Sequence, residues 1–390
     1  MVRIALFLLF FTIFVGGTHL YLWQRMLRAP RLSARMQRIG TIVIITMGVA
    51  MPLAMFLVQI LPRSMGAVLS FVVYSWMGFA ALLVACLLTT EIPRLLVVVG
   101  TRLRTGQTID EERRTFLSRL IAGVAGLVTL GLSGAGVAEA LGAVALKKVQ
   151  VSLRKLPKEL SGMRIVQLTD VHIGPMIGRE WLEGIVARVN ALEPDLIVIT
   201  GDLVDGSVAA LKDHVAPLGD LKSKRGVYFV TGNHEYYSGA TSWIAHLSTL
   251  GVRVLRNEHV TIGEGAASFD LAGVDDHTGG QFLADHGADV AKALAGRDPN
   301  RECILLAHQP KEVIEAAKHG VGLQISGHTH GGQVFPATLL VRLQQPFTAG
   351  LDRLGDTQIY VSCGTGYWGP PMRVAAPAEI TLLEINSAIV

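Results

Sequence analysis

Two imidazoles one residue apart, bracketed by glycines, carry the strongest chemical signal in the chain: Gly327-His328-Thr329-His330-Gly331-Gly332. The stretch ends an apolar run from Leu323 to Ser326. Glycine on both sides lets the backbone turn sharply and lets an ion approach closely. On a strand the two rings would share a face. In a tight loop they can diverge and grip two neighbouring ions. A lone His-x-His pair is weak evidence, but here it closes an ordered series. Asp170-Val171-His172, Gly201-Asp202, Gly232-Asn233-His234-Glu235 and His308 precede it, each just after a short apolar, strand-like run.

The series supplies two carboxylates, one amide and four imidazoles, at Asp170, His172, Asp202, Asn233, His308, His328 and His330. Mixed imidazole and carboxylate donors without thiolate suit manganese, iron or zinc. Seven donors exceed one tetrahedral ion and suit two ions sharing a carboxylate. Two ions about 3.5–4 Å apart can hold a bridging hydroxide and two phosphoryl oxygens, stabilising the charge of an in-line displacement at phosphorus. No Gly-rich nucleotide loop and no nucleophilic Ser or Cys triad motif competes with this reading.

The ordered motifs Asp-x-His, Gly-Asp-x-x-Asp, Gly-Asn-His-Glu, a lone His and Gly-His-Thr-His resemble those of the calcineurin-like metallophosphoesterases, over roughly residues 160–385. The resemblance implies a four-layer α/β fold, two packed sheets flanked by helices, in which two ions are held. It implies Asp170, His172 and His330 on the first ion, Asn233, His308 and His328 on the second, and Asp202 between them. It further implies that His234 is no ligand but contacts the phosphoryl group and assists the leaving oxygen, as an imidazolium can by donating a proton or a charged hydrogen bond. The closing Gly364-Thr365-Gly366-Tyr367-Trp368-Gly369-Pro370-Pro371 and the apolar N-terminal half look like the membrane-attached branch of that family. Some of its members are similar to enzymes acting on phospholipid-like or lipid A precursor substrates.

The elements that position these clusters follow from periodicity. Arg164 to Thr169, Asp195 to Thr200, Gly226 to Thr231, Cys303 to Ala307 and Leu323 to Ser326 read as buried strands. Arg179 to Leu192 has apolar residues at helical spacing and stops before Pro194. Ser207 to Lys222, Gln281 to Leu294 and Lys311 to Lys318 read as helices. Shorter strands are expected at Val149 onward, Val252–Leu255, His259–Ile262, Ser268–Val274, Gly331–Phe335, Gln358–Ser362 and Glu379–Ile385, with a long loop up to about Thr357. Strands alternating with helices, and polar residues just past the strands, place the site at carboxyl ends of an α/β sheet. His214, His246, His259, His277, His286 and His319 lie outside the clusters and read as surface or core histidines. Asp205 reads equally as a partner of a ligand imidazole or a turn-capping carboxylate. Asp275-Asp276-His277 could line the cleft, with a simple loop the preferred reading. Tyr236, Tyr237, Tyr367 and Trp368 could contact an acyl chain or the membrane surface, with packing the preferred reading.

The chain has 390 residues, enough for two parts, and a mean hydropathy of +0.43. The division falls at 1–148, a membrane domain, and 149–390, the catalytic domain. Apolar runs at 4–23, about 39–61, about 66–90 and about 120–146 are long enough to span a bilayer. Residues 1–148 hold 15 Lys and Arg against 5 Asp and Glu, while the rest holds 20 against 26. The basic balance therefore belongs to the membrane part and does not call for a nucleic-acid partner. Arginines cluster after the first run (Arg25, Arg28, Arg31, Arg35, Arg38) and after the third (Arg94, Arg102, Arg104, Arg113, Arg114, Arg119), which makes those loops cytoplasmic. Four spans then put the catalytic half on the outer side of a cell membrane, although Lys147 and Lys148 count against that orientation. Arg113-Arg114-Thr115-Phe116-Leu117 before the last run resembles a twin-arginine export signal. His19 and Glu139 read as interfacial groups. Of the three cysteines, Cys303 and Cys363 leave a bridge open, with buried free thiols the preferred reading.

The leading expectation is thus a membrane-anchored phosphoesterase acting on a phosphorylated small molecule or lipid. The competing one is a metal-stabilised regulatory or scaffold domain without catalysis. A four-span transporter is weaker, because the runs lack a charged interior path.

Overall fold

The structure, a computed structural model, describes residues 2–105 and 110–388, the side chains of 2–8, 10, 59 and 105 excepted. These fall into two compact units. One holds Met1–Leu141 and Gly369–Val374, the other Gly142–Trp368 and Ala375–Val390.

The first unit is helical: α1 (Val2–Trp23), α2 (Ala34–Ile60), α3 (Arg63–Thr105) and α4 (Glu111–Leu141). Among the described residues, three helical stretches are long and apolar enough to cross a membrane: Ala34–Val58, Arg63–Arg104 and Glu111–Leu141. The expected run 4–23 lies in α1, but most of its first side chains are outside the described residues. The expected run 66–90 is part of a 43-residue helix. At 1.5 Å per residue such a helix is about 65 Å long, about twice a bilayer's hydrocarbon core. The chain from Glu91 to Thr105 stays helical, with Pro93 inside the helix. Leu22, Ala80, Leu83, Leu87 and Ala125 make a small core, while Ile45, Leu96 and Leu127 are exposed as lipid-facing residues would be. His19 is buried, with Nε2 accepting from Trp76 Nε1 at 3.0 Å. The segment Gly369–Val374 belongs here through close approach to glycine: Arg373 N donates to Gly136 O at 2.9 Å, and a Cβ at Gly136 would meet Val374 at 2.8 Å.

The second unit is built on twelve strands: β1 (Ala145–Leu153), β2 (Met163–Leu168), β3 (Leu196–Thr200), β4 (Val227–Val230), β5 (Val252–Val254), β6 (Glu258–Glu264), β7 (Ala267–Gly273), β8 (Cys303–Leu306), β9 (Leu323–Ser326), β10 (Gly350–Leu354), β11 (Thr357–Val361) and β12 (Glu379–Ser387). They form two six-stranded sheets, ordered β1-β12-β2-β3-β4-β5 and β10-β11-β9-β8-β7-β6. The strands that precede the polar clusters are parallel: β2, β3 and β4 in one sheet, β8 and β9 in the other. Inward side chains of both sheets, among them Ile165, Val198, Val230, Phe269, Leu306 and Ile325, share one core. Each such side chain contributes on the order of 1.5–3 kcal/mol by leaving water.

Helices cover the outer faces, giving the expected four layers. Helix α5 (Arg179–Ala191) buries Leu182, Ile185, Val186 and Val189 at helical spacing, and α6 (Val208–Val215) packs beside it. After α7 (Asn233–Ser238), α8 (Ala240–Thr249) lies along β5. Helices α9 (Val290–Ala293) and α10 (Val313–Lys318) pack on the second sheet against Ala272, Cys303 and Leu305.

Four local expectations fail, each for a readable reason. The helix expected over Ser207 to Lys222 ends at Val215 and continues as a 3-10 turn through Pro217. The helix expected over Gln281 to Leu294 reduces to α9. There Asn257 accepts from Asp289 N and donates to Gly287 O, and Gly287 takes φ +118, so the segment is held open by side-chain bonds. No strand forms at Gly331–Phe335, because Gly331, Gly332 and Gln333 all have positive φ (60, 86 and 50) and turn the chain into α11 (Ala337–Val341). The expected long loop before Thr357 contains edge strand β10, antiparallel to β11. Cys86, Cys303 and Cys363 are free thiols.

Candidate metal centre

All five clusters emerge from carboxyl ends of parallel strands and meet between the two sheets. Beyond β2 and β3 the loops keep pairing by backbone: Asp170 N donates to Gly201 O at 3.0 Å and His172 N to Asp202 O at 3.1 Å. Gly327 N donates to His308 O at 3.0 Å, tying the β8 and β9 loops likewise. The two sheets are joined under the site by polar bonds. Gln167 Nε2 reaches Ser326 O at 2.9 Å, and His308 Nδ1 donates to Thr200 O at 2.7 Å.

The expected donors come together in two groups. Asp170, His172 and His330 place one donor atom each within 4.8 Å of one another, and so do Asp202, His308 and His328. Asp202 Oδ2 lies 3.1 Å from His308 Nε2, and Asp202 Oδ1 accepts from His234 N at 2.8 Å. Asp170 accepts from His328 N with both oxygens at 3.0 Å, so each group touches the other's loop. Asn233, at the start of α7, is buried.

Backbone geometry marks the same residues. Ten described non-glycine residues have positive φ, and Asp170, His172, Asp202, His328 and His330 are five of them. Left-handed conformations cost about 1–3 kcal/mol each and persist where the surroundings over-determine them. Glycines make the convergence sterically feasible. A Cβ at Gly201 would sit 2.6 Å from Gly232 N and 2.8 Å from His308 Nδ1, and one at Gly327 would collide with the Asp170 carboxylate.

The residues present fit a bound cation. Asn233 Oδ1 is buried and accepts no hydrogen bond among the described residues. Such an orphan costs roughly 1–3 kcal/mol unless something electropositive meets it. Imidazole nitrogens also face each other, His172 Nε2 to His330 Nε2 at 3.1 Å and His328 Nδ1 to His308 Nε2 at 3.2 Å. His308 directs Nδ1 at a carbonyl and His172 directs Nδ1 at a carboxylate, which leaves Nε2 of each ring facing the centre. A cation between these rings would be met by the Nε2 atoms of His172 and His308.

Two carboxylates not assigned as donors organise the site. Asp205 Oδ1 lies 3.2 Å from His172 Nδ1 and 2.6 Å from His234 Nδ1, so it orients both rings. Burial pushes the Asp205 carboxyl up, but His172 and His234 outweigh it and hold it well below the usual carboxylate range. Glu235 is buried and accepts three backbone N–H groups, from Asp202 at 2.9 Å, Leu203 at 2.8 Å and Gly232 at 2.7 Å. It thereby locks the β3 loop to the β4 loop. Burial, then the charge of Asp202, pushes its carboxyl up to about 8, a cost that positive charge in the centre would relieve. Sequence reasoning left Asp205 undecided and gave Glu235 no role. The spacing Gly232-x-x-Glu235 at a helix start is the signal that could have found the latter.

His234 faces both groups' neighbourhood from α7. Burial pulls its imidazole down, but Asp202 and the bond to Asp205 outweigh that and raise it to about 9. It therefore carries a proton at neutral pH. Burial and the nearby His308 charge push His328 down to about 4, which leaves it neutral and able to coordinate. Asp275 and Asp276 are buried but engaged elsewhere, Asp275 with Arg256 at 2.8 Å and Asp276 with Gln309 at 3.0 Å.

A fold of two packed mixed sheets with Asp, His and Asn converging between them defines a metal-dependent phosphoesterase domain. The family model for calcineurin-like phosphoesterase matches residues 163–332. A Bos taurus protein described as a transmembrane protein with metallophosphoesterase domain is 42% identical over 296 residues, 73% of this chain and 67% of that protein. A Danio rerio protein of the same description is 35% identical over 409 aligned positions, covering 99% of this chain and 91% of its own. An uncharacterized metallophosphoesterase of Helicobacter pylori is 42% identical over 261 residues, 66% of this chain and 68% of that protein. The chain belongs to the calcineurin-like metallophosphoesterase family. It carries that domain behind helices able to span a membrane.

Proposed function

We propose that this protein is a membrane-anchored hydrolase that uses two metal ions to cleave phosphate ester or pyrophosphate bonds, with phospholipid or lipid A precursor type molecules as its substrate class. Asp170, His172 and His330 would hold one ion, Asn233, His308 and His328 the other, and Asp202 both. Manganese, iron or zinc would there supply Lewis acidity, activating water and neutralising phosphoryl oxygens. Asp205 orients His172 and His234, Glu235 keeps the two strand loops in register, and protonated His234 stands ready to donate to the leaving oxygen. The observations that carry this reading are the two sets of converging donors and the buried, unpartnered Oδ1 of Asn233, whose neighbour His234 donates its backbone N–H to Asp202. The imidazolium of His234 favours catalysis over a scaffold, since a purely structural ion has no use for an extra proton donor.

The arginine-rich segments support a catalytic domain on the outer side of the cell membrane, and Arg113-Arg114 supports export of a domain already folded around its ions. A reporter fused after Val390 tests the sidedness. Signal confined to the cytoplasm would overturn it without touching the chemistry.

Metal removal tests the chemistry directly. Chelation should abolish hydrolysis of an aryl phosphodiester and lower the thermal midpoint, because an ion at a hundred times its Kd stabilises by about 2.7 kcal/mol. Manganese, iron or zinc should restore both, at two ions per chain by elemental analysis. Full turnover in metal-free protein would end the proposal.

Asp205→Asn should weaken metal binding by about 10- to 100-fold, the usual cost of losing a carboxylate behind a ligand histidine. It should also move the alkaline limb of the pH–rate profile to lower pH. The folded-state pKa of His234 is raised, to about 9, so its proton is present below that pH and lost above it. Removing the Asp205 charge lets it leave earlier. A pH–kcat profile with an unmoved alkaline limb would contradict this role.

A further inference from the structure

Beside His234 the polar centre opens onto aromatic side chains that the hydrolytic chemistry does not use. Tyr237, Phe282 and Trp368 are 60%, 48% and 52% exposed. Large aromatics left half in water are informative when they cluster at one place. The His234 ring meets Tyr237 at 5.1 Å between centroids and Trp368 at 5.4 Å, and Tyr237 meets Phe282 at 5.5 Å. Trp368 is held to the candidate metal loop. Gln333, which directly follows the turn at His330–Gly332, donates Nε2 to Trp368 O at 2.7 Å and accepts from Trp368 N at 3.0 Å. Two bonds to its backbone thus tether Trp368 to that loop, and its ring lies against His234.

Resting on the phosphoesterase reading of the same centre, we propose that Tyr237, Phe282 and Trp368 form a lip that binds the hydrocarbon chain of a lipid phosphate while the phosphoryl group enters the metal centre. The ring geometry selects a chain over a nucleobase. Neighbouring rings meet edge-on, at 64°, 74° and 61°. These contacts contain no parallel pair between which a flat base would be sandwiched, whereas a flexible chain can lie across tilted rings. Further along the chain from Gln333, Phe335, Leu339 and Leu340 are also exposed. The same chain carries helices of membrane-spanning length, so a lipid substrate is at hand.

The test is a series of alkyl p-nitrophenyl phosphodiesters, methyl to octyl, with metal-loaded full-length protein in one detergent. Chain length should raise kcat/KM by up to about fourfold per methylene, the limit for a fully buried CH2. Trp368→Ala and Tyr237→Ala should flatten the series, lowering the octyl-to-methyl ratio by at least about tenfold at unchanged metal content. Partition into detergent is common to all variants and cancels between them. An octyl-to-methyl ratio equal to wild type in both variants would overturn the lip. Absence of turnover on every ester would instead sink the phosphoesterase reading. The lip would then stand or fall on calorimetry with octyl and methyl phosphonate, where wild type must favour octyl and Trp368→Ala must lose that preference. A nucleoside phosphonate that binds as tightly as octyl phosphonate and is weakened as much by Trp368→Ala would assign the lip to a base and overturn the hydrocarbon.

Discussion

Asp202→Ala should lower kcat/KM for an aryl phosphodiester by at least about a thousandfold, because removing several kcal/mol of transition-state stabilisation costs a factor of ten for each 1.36 kcal/mol. Asp202 belongs to the donor group of His308 and His328, and its backbone carbonyl accepts from His172 N of the other group at 3.1 Å. One carboxylate oxygen lies 3.1 Å from His308 Nε2 and the other accepts from His234 N at 2.8 Å. Burial alone would raise its carboxyl, yet His308 and His234 hold it well below the usual range. The alanine variant loses that charge and leaves His308 without its partner. Asp202→Asn guards against a trivial loss of fold. It keeps an oxygen for His234 N while removing the charge, and it should be membrane-inserted, folded and depleted of metal. Wild-type turnover in either variant would show that no shared carboxylate is needed.

His234→Ala should lower kcat by about 10²- to 10⁴-fold, the range expected for a positioned proton donor, with metal content unchanged. That combination separates a residue acting on the leaving group from one holding an ion. In wild type, the rate should fall as pH rises through about 9, where His234 loses its proton, and the variant should lack this limb. The linked stability has the same sign. The folded pKa lies above the unfolded value of about 6.5, so the contribution is complete below that value and is lost as pH rises through about 9. The effect on rate should shrink for substrates with very acidic leaving groups, which need no proton. Loss of metal in the variant would reassign His234 as a ligand.

The candidate donors were legible because their signal is local. Asp, Asn and His after short apolar runs are visible without knowing where the runs go, and the alternation of strands with α5-like helices announced an α/β sheet. What depended on distant partners was not legible. Asp205 was ambiguous because its two imidazoles lie 33 and 29 residues away in the chain. The helix expected near Gln281 gave way to side-chain bonds from Asn257. The strand expected after the last histidine gave way to three consecutive left-handed residues, of which only two are glycine.

By itself, then, the sequence determined which atoms could coordinate an ion, their order along the chain, and that helices of bilayer length precede them. Only the tertiary structure decided which donors meet. His172 and His330 are 158 residues apart, and they come within 3.1 Å because two sheets share one core and turn their carboxyl ends to the same side. The tertiary structure alone also showed Asn233 Oδ1 unpartnered, Asp205 between two rings, and Trp368 clamped by Gln333. Coordination chemistry resides in side-chain type, which the sequence states outright. Convergence resides in packing between segments far apart in the chain, which no local pattern encodes.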